Sequence, residues 1–289
     1  MAHFGFLNID KPPGVTSRWV VDQVQRLVRP DKAGHAGTLD PLATGVLMVA
    51  VGHATRLIEF VQRMTKRYRG TFLLGRSSDT EDTDGIVTEL VTPPIPTPDA
   101  IAIAAAGMIG TIEQRPPAYS AVKIGGRRSY DLARAGKQVH LAARPVEIHK
   151  IEVVAYEYPQ LMLDVECGSG TYVRTLGREL AERCGTSAVM SGLVRTSVGN
   201  FSVADAIGVD TLSADIIAAS LLKPTEAIRH LPSFIASVQE IAQLRNGQLL
   251  LPALAPTENE VVAIDAHGNL VAILERRPNG LHPARVFPR

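Results

Sequence analysis

The spacing of apolar positions changes several times along the first eighty residues, and each change marks an element. "HFGFLNID" alternates and runs into the turn "KPPG", which predicts a strand. Thr16 or Ser17 can cap the next segment, where Val20, Val24, Leu27 and Val28 fall on one helical face. "GVLMVAVG" is an unbroken apolar run and predicts a buried strand, while "TRLIEFVQRM" predicts a helix. "KRYRGTFLLG" alternates, with Tyr68, Gly70, Phe72 and Leu74 on one face and Arg67, Arg69 and Thr71 on the other.

Beyond residue 76 the pattern loosens. "SSDTEDTDGIV" is an acidic, turn-rich loop and "TPPIPTP" a stiff linker. A helix is expected around "DAIAIAAAGMIG", then the proline-interrupted "EQRPPAYSAVKIGGRRSYDLARAGK", then strands at 145–157 and 161–168. "GTYVRTLGRELAERCG" predicts a strand end feeding a helix, with Leu176, Leu180 and Cys184 on one face and Gly185 as its C-cap. From about Leu231, "VVAID" and "LVAILERR" predict two short strands around a turn, followed by a basic end. The sequence carries no internal repeat.

Composition narrows the class. A chain of 289 residues accommodates one large domain and a smaller companion. Hydrophobic residues make up 45% and charged residues 20%, enough for an ordinary globular core. No apolar run approaches the ~18 residues of a membrane span, and Asp10 and Lys11 interrupt the N-terminus too early for a signal-peptide core. Cys167 and Cys184 form no C-x-x-C pair, so neither a disulfide framework nor a zinc site is expected, and a cytoplasmic location is. The net charge of +1 hides a segregation: residues 11–78 carry +7, residues 114–150 carry +6, and the remainder carries −12. Two basic segments fit a polyanion surface, and they equally fit solvated faces that balance in space.

Candidate chemistry centres on "GHAGTLDPLATG", residues 34–45. Asp40-Pro41 fits a helix N-cap. It also fits a reactive carboxylate, since an acid among backbone N–H groups stays ionised, as a nucleophile must. His35 has no companions at metal-ligand spacing, so no metal is expected; its ring can stack on a base. Tyr68, among Lys66, Arg67 and Arg69, suits base stacking beside phosphate contacts, or a plain core position. The acidic loop is not an EF-hand, because Thr80 would take the first ligand position and no Glu stands at the twelfth. No phosphate loop, nucleophile elbow or aspartic-protease D-T-G occurs.

"GHAGTLDPLATGVL" resembles the signature of the bacterial tRNA pseudouridine synthases of the TruB type, which isomerise the uridine at position 55 in the T loop of tRNA. "LNIDKPPGVTS", "KRYRGTFLLGRSSDTEDTDG", "RPPAYSAVKIGGRRSYDLARAG", "CGSGTYVRTLGREL" and "GLVRTSVGNF" resemble further motifs of that family, in order, across residues 4–201. The tail is similar, more weakly, to the small RNA-binding PUA-type domain. The resemblance implies a catalytic domain over 1–230, with an RNA-gripping insertion at about 122–146, and a PUA-like β-rich domain over 231–289. The expected fold is α+β: a mixed, largely antiparallel central sheet with flanking helices and the site in a central cleft.

By the same resemblance Asp40 is the catalytic aspartate, Tyr68 lies against the target base, and Arg174 pairs with the aspartate. Tyr172 and Leu193 line the base pocket, and His35 contacts loop nucleotides during base flipping. Lys11 and Pro12 match the first motif, mainly as support; Lys11 is counted with Arg67, Arg69, Lys123, Arg127 and Arg128 among the RNA-contacting residues. The family often has two arginines after the leucine, whereas here Val194 precedes Arg195. The reaction needs no cofactor. The expected partner is the T stem-loop of tRNA, with no membrane and no obligatory protein partner, and the tail is expected to add affinity without being needed for chemistry. A guide-RNA-dependent synthase and a catalytically silent tRNA-binding protein are the alternative readings.

Overall fold

The computed structural model describes residues 3–120, 122–135, 139, 141–251 and 256–288. In chain order the elements are β1 (Phe4–Lys11), α1 (Ser17–Leu27), β2 (Ala33–His35), β3 (Thr44–Gly52), α2 (Ile58–Arg63), β4 (Lys66–Leu74), β5 (Arg76–Ser77), β6 (Thr88–Glu89), α3 (Pro98–Ala106), β7 (Gly110–Gln114), β8 (Lys123–Ile124), β9 (Arg127–Arg128), α4 (Ser129–Arg134), β10 (Arg144–Glu157), β11 (Gln160–Cys167), α5 (Val173–Arg183), β12 (Ala188–Val198), β13 (Phe201–Ser202), β14 (Ile207–Gly208) and α6 (Ala214–Ser220). The tail adds β15 (Ser233–Ile235), α7 (Val238–Arg245), β16 (Glu260–Ile264), β17 (Leu270–Arg277) and β18 (Gly280–Val286).

One ten-stranded sheet organises the molecule, in the order β14-β1-β3-β12-β4-β11-β10-β7, with β13 beside β12 and β2 beside β3. Its pairs are antiparallel except β1 with β14 and β3 with β12. The α+β architecture with a mixed, largely antiparallel sheet is therefore the one expected. Strand β3 reads as a continuous apolar run because it is buried on both faces. Leu47, Val49 and Val51 pack with Val20, Val21 and Val24 of α1, while Val46, Met48 and Ala50 pack on the other side with Phe6 and Phe60. Helices α3 and α5 cover the half of the sheet built from β4, β12, β11 and β10, around Phe72, Leu163, Leu176 and Leu180.

Helix starts follow the side-chain caps: Thr16 Oγ1 accepts from Trp19 N, Thr97 Oγ1 from Ala100 N, and Ser237 forms a reciprocal capping box with Glu240. Asp40 caps nothing, because the turn it occupies leads into β3, a strand. That removes the bland reading of Asp40-Pro41. Residues 144–146, counted above with the insertion, belong to β10 and pair with β7. Ahead of them β8 and β9 form a hairpin whose turn uses Gly125 and Gly126 at φ 55° and 83°, conformations glycine adopts without strain.

The tail sheet, β15-β16-β17-β18, has its own core around Leu244, Val261, Ala272 and Leu274. It also shares one with the main sheet: Val262, Leu270, Ile273 and Phe287 pack with Phe6, Val46, Met48 and Phe60. Among the described residues, no helix is long and apolar enough to cross a membrane.

Candidate active site

The Asp40 loop is held from behind by the start of the chain. The buried Ser17 hydroxyl donates to Leu39 O at 3.0 Å and accepts from Leu39 N at 2.8 Å. Lys11 is fully buried, and its Nζ donates to Pro12 O, Val15 O and Pro41 O at 2.9, 2.7 and 3.2 Å. Burial lowers its pKa to about 8. This takes Lys11 out of the expected RNA-contacting set and leaves its supporting role, because no donor of the amine is offered to solution. Beyond the loop, Gly45 has φ 96°, and a Cβ there would come within 2.3 Å of Arg195 O, so the entry into β3 requires glycine.

Asp40 keeps 35% of its side chain exposed. Arg174, near the N-terminus of α5 and almost fully buried, approaches it with Nη2 3.7 Å from Asp40 Oδ2. The expected pair is thus at ion-pair distance. A closer partner was not foreseen: Arg174 Nη1 lies 3.0 Å from Asp82 Oδ2, and Asp82 is itself buried. Asp82 is fixed by Thr80 Oγ1 at 2.5 Å and accepts from Asp84 N at 3.1 Å. Its neighbour Glu81, at φ 65°, accepts from Thr175 Oγ1 and pairs with Arg178, so the acidic loop is clamped along α5. The signal available in the sequence was the run of acids in "SSDTEDTDG", read above as an acidic, turn-rich loop. Burial raises the pKa of Asp40, and Asp82 and Asp84 push the same way, while Arg174 and Lys11 oppose them.

Strands β4 and β12 place the aromatic and apolar side of the site. Tyr68 is the cross-strand partner of Arg195, and Gly70 that of Leu193. Tyr68 and Leu193 join the cluster that contains Leu39 and Ala43. Burial raises the Tyr68 pKa, and Arg195 works against that rise. Arg195 is fully buried, donating from Nε to Val46 O at 2.7 Å and from Nη2 to Gly37 O at 3.1 Å. Tyr172 stands at the N-cap of α5, where Gln114 bonds both its N–H and its carbonyl, and the Arg144 guanidinium lies 5.5 Å from its ring centroid. His35 sits on β2, half-buried, opposite Val49 of β3.

The basic residues divide. Arg67 and Arg69 face away from Tyr68, and each is engaged by an acid on β11: Arg67 Nε bonds Glu166 at 2.9 Å, and Arg69 grips Asp164 with two bonds of 2.7 Å. Each thus has an acidic partner on β11, which the expectation of phosphate contacts did not foresee. Lys123, Arg127 and Arg128 lie on the β8–β9 hairpin, pairing Lys123 with Arg128 and Ile124 with Arg127; their side chains are outside the described residues. So are residues 121, 136–138 and 140 of the expected insertion. Among the described residues, no group of His, Cys, Asp or Glu is arranged to hold a metal ion.

Residues 25–173 match the family described as TruB family pseudouridylate synthase (N terminal domain). The tRNA pseudouridine synthase B of Caulobacter sp. (strain K31) is 40% identical across 98% of this chain and 96% of its own length. That of Moorella thermoacetica is 38% identical across 95% of this chain and 94% of its own. Among solved structures, the chain is similar to one in a Cbf5-Nop10-Gar1 complex, with a TM-score of 0.78 and 26% identity, covering 99% of this chain and 85% of that one.

Proposed function

The chain belongs to the TruB family of pseudouridylate synthases, and from that premise we propose that it converts the uridine at position 55 in the T loop of tRNA to pseudouridine, unaided by guide RNA or cofactor. The observation that carries the reading is a partly exposed Asp40 3.7 Å from the buried Arg174, with Tyr68 and Leu193 on the adjoining strands. The near-full-length similarity to enzymes named tRNA pseudouridine synthase B supports tRNA as the substrate.

The target base lies inside a folded loop and has to be turned out, at about a few kcal/mol. Tyr68 and His35 supply rings against which bases can stack, worth ~1–3 kcal/mol per base. The N1–C1′ bond breaks, the uracil turns, and C5 bonds to C1′. Asp40 either attacks the substrate or takes a sugar proton, and either role needs its ionised form. Arg174 supplies the charge that favours that form against the burial opposing it. Leu193 keeps the pocket apolar.

The test is purified protein with an unmodified tRNA transcript and no other component, scored for pseudouridine in the T loop. Conversion that depends on added guide RNA, or tight binding with no conversion, would each replace this reading. Asp40→Asn is expected to abolish turnover and leave tRNA binding close to wild type; single-turnover conversion by that variant would overturn Asp40's role.

A further inference from the structure

Strands β7 and β10 carry between them the stretch that holds the β8–β9 hairpin, and the last pair of their ladder is Gln114 with Arg144. Both side chains reach the same short segment, the turn from β11 into α5. Gln114 is buried, and its amide spans one residue: Nε2 donates to Tyr172 O at 3.1 Å, and Oε1 accepts from Tyr172 N at 2.8 Å. Tyr172 is the N-cap of α5 and makes no capping bond with its own side chain. Its carbonyl also accepts from Leu176 N at 3.0 Å, the first bond of the helix. Gln114 therefore fixes the backbone from which the Tyr172 ring projects, through both hydrogen-bonding groups of that residue.

Arg144 acts on the ring itself. Its Nη2 donates to Gly170 O at 2.8 Å, and its guanidinium carbon lies 5.5 Å from the Tyr172 ring centroid, within the range of cation–π attraction. Gly170 has φ 84°, and a Cβ there would come within 3.1 Å of the guanidinium, so the turn seats Arg144 against a glycine. An aromatic ring is placed by its backbone and by two side-chain torsions. Gln114 sets the first and Arg144 biases the second. Arg174, two residues further along α5, has its own anchors at Asp82, Thr80 O and Tyr119 O.

We propose that Gln114 and Arg144 are positioning residues for Tyr172: together they hold its ring at one place and one tilt, so that the target uracil meets a wall already formed. The proposal rests on the function proposed above and on Tyr172 lining the base pocket, as the family resemblance implies. Holding a pocket wall in place before the base arrives leaves less ordering to be done at the reacting centre, and a displacement of about 1 Å far from the chemistry can slow a reaction about 10²-fold. The two residues stand where the chain leaves the main sheet toward the hairpin and where it returns, so the wall is fixed from the root of the insertion.

The experiment uses the full-length protein and T stem-loop RNA, with the single-turnover rate at saturating protein and the dissociation constant measured separately. Arg144→Gln and Gln114→Leu are each expected to slow conversion by roughly 10–100-fold, with RNA affinity close to wild type. Arg144→Lys keeps a cation over the ring and should restore most of the rate. In a Tyr172→Leu background, which has no ring, adding Arg144→Gln should bring no further slowing; in Tyr172→Phe, which keeps one, the slowing should persist. Protein isotope-labelled at tyrosine gives a readout without turnover: the Tyr172 ring resonances, identified by their loss in Tyr172→Leu, should shift in Arg144→Gln in the absence of RNA. A merely structural role would lower the folded fraction without making the loss depend on a ring at position 172. Equal slowing in the wild-type and Tyr172→Leu backgrounds, or unmoved ring resonances, overturns the proposal. So does weakened RNA affinity with an unchanged saturating rate, which would make Arg144 a phosphate contact. If Gln114→Leu fails to fold, Gln114→Met, which keeps the length and loses both bonds, decides; if neither folds, or a folded one keeps the wild-type rate, the part given to Gln114 is overturned. A wild-type protein that makes no pseudouridine overturns the prior reading instead.

Discussion

Arg174 serves two carboxylates, and their distances rank them. Asp82 lies 3.0 Å away and buried; Asp40 lies 3.7 Å away and partly open. Removing one partner of a buried pair strands the other charge, at about 3–5 kcal/mol. Asp82→Asn is therefore expected to lower the melting temperature and to slow turnover more than it weakens tRNA binding, read by thermal melts and single-turnover assays side by side. Asp40 has a raised pKa, which sets two opposite pH trends. Activity needs the carboxylate, so it should fall as pH drops through a value above the ordinary carboxylate range. Stability runs the other way, because a group that binds its proton more tightly when folded loses stability as pH rises from its unfolded to its folded value. Asp40→Asn should consequently melt higher than wild type at neutral pH, and a lower melting temperature would contradict that assignment. Asp40, Tyr68 and Arg174 were expected from the motifs they sit in. Asp82 and Arg195 also lie in quoted motifs, but their contacts, with Arg174 and with the carbonyls of Val46 and Gly37, join positions 92 to 158 apart and are not written in either motif.

Helix α5 meets β4 through a glycine. A Cβ on Gly177 would come within 2.0 Å of the Phe72 ring, one turn along the helix from Arg174. Alanine in place of glycine improves helix propensity by roughly 1 kcal/mol. Overpacking a tightly filled space costs about 1–3 kcal/mol, and here the obstacle is a rigid ring. Gly177→Ala should thus destabilise the fold and shift Arg174 relative to Asp40, seen as a lower melting temperature together with slower turnover. The long strands and helices were readable from periodicity, because one or two faces of each are buried. The β8–β9 hairpin was not, since two-residue strands carry no period; "KIGGRR" announced only its turn. Strand β18 read as a basic end because Pro283 and Arg285 interrupt its alternation, although Leu281 and Phe287 flank them as core residues. The hairpin's charge makes its own expectation. Reversal at Arg127 and Arg128 should flatten the dependence of log affinity on log salt, by ~0.7 for each single-strand phosphate that is no longer neutralised. An unchanged slope would place the RNA elsewhere.

At the scale of the whole molecule, the tail is built into the fold. Phe287 stacks on Phe4 with centroids 5.5 Å apart and packs in the shared core with Phe6 and Phe60. Arg63–Glu260 and Arg285–Glu59 also join α2 to the tail sheet, but exposed pairs are worth only about 0–1 kcal/mol each, so apolar burial makes the join. Phe287→Ala should cost about 3–5 kcal/mol. Truncation before Leu231 should expose that core and yield a poorly folded protein, measurable by melting and by hydrogen exchange in β1 and β3. The expectation that the tail adds affinity without being needed for chemistry came from Asp40, Tyr68 and Arg174 all lying upstream of it, a ground that is silent about a shared core. No local pattern tells which face of β3 it covers. A common core has a further consequence: the span from Asp40 to the tail sheet is a fixed gauge rather than a tether. We propose that the tail also grips RNA; an RNA held at both places must then carry the matching spacing in its own stem. Lengthening that stem by a couple of base pairs should forfeit the tail's share of the grip, while a loop presented in saturating amounts still reacts.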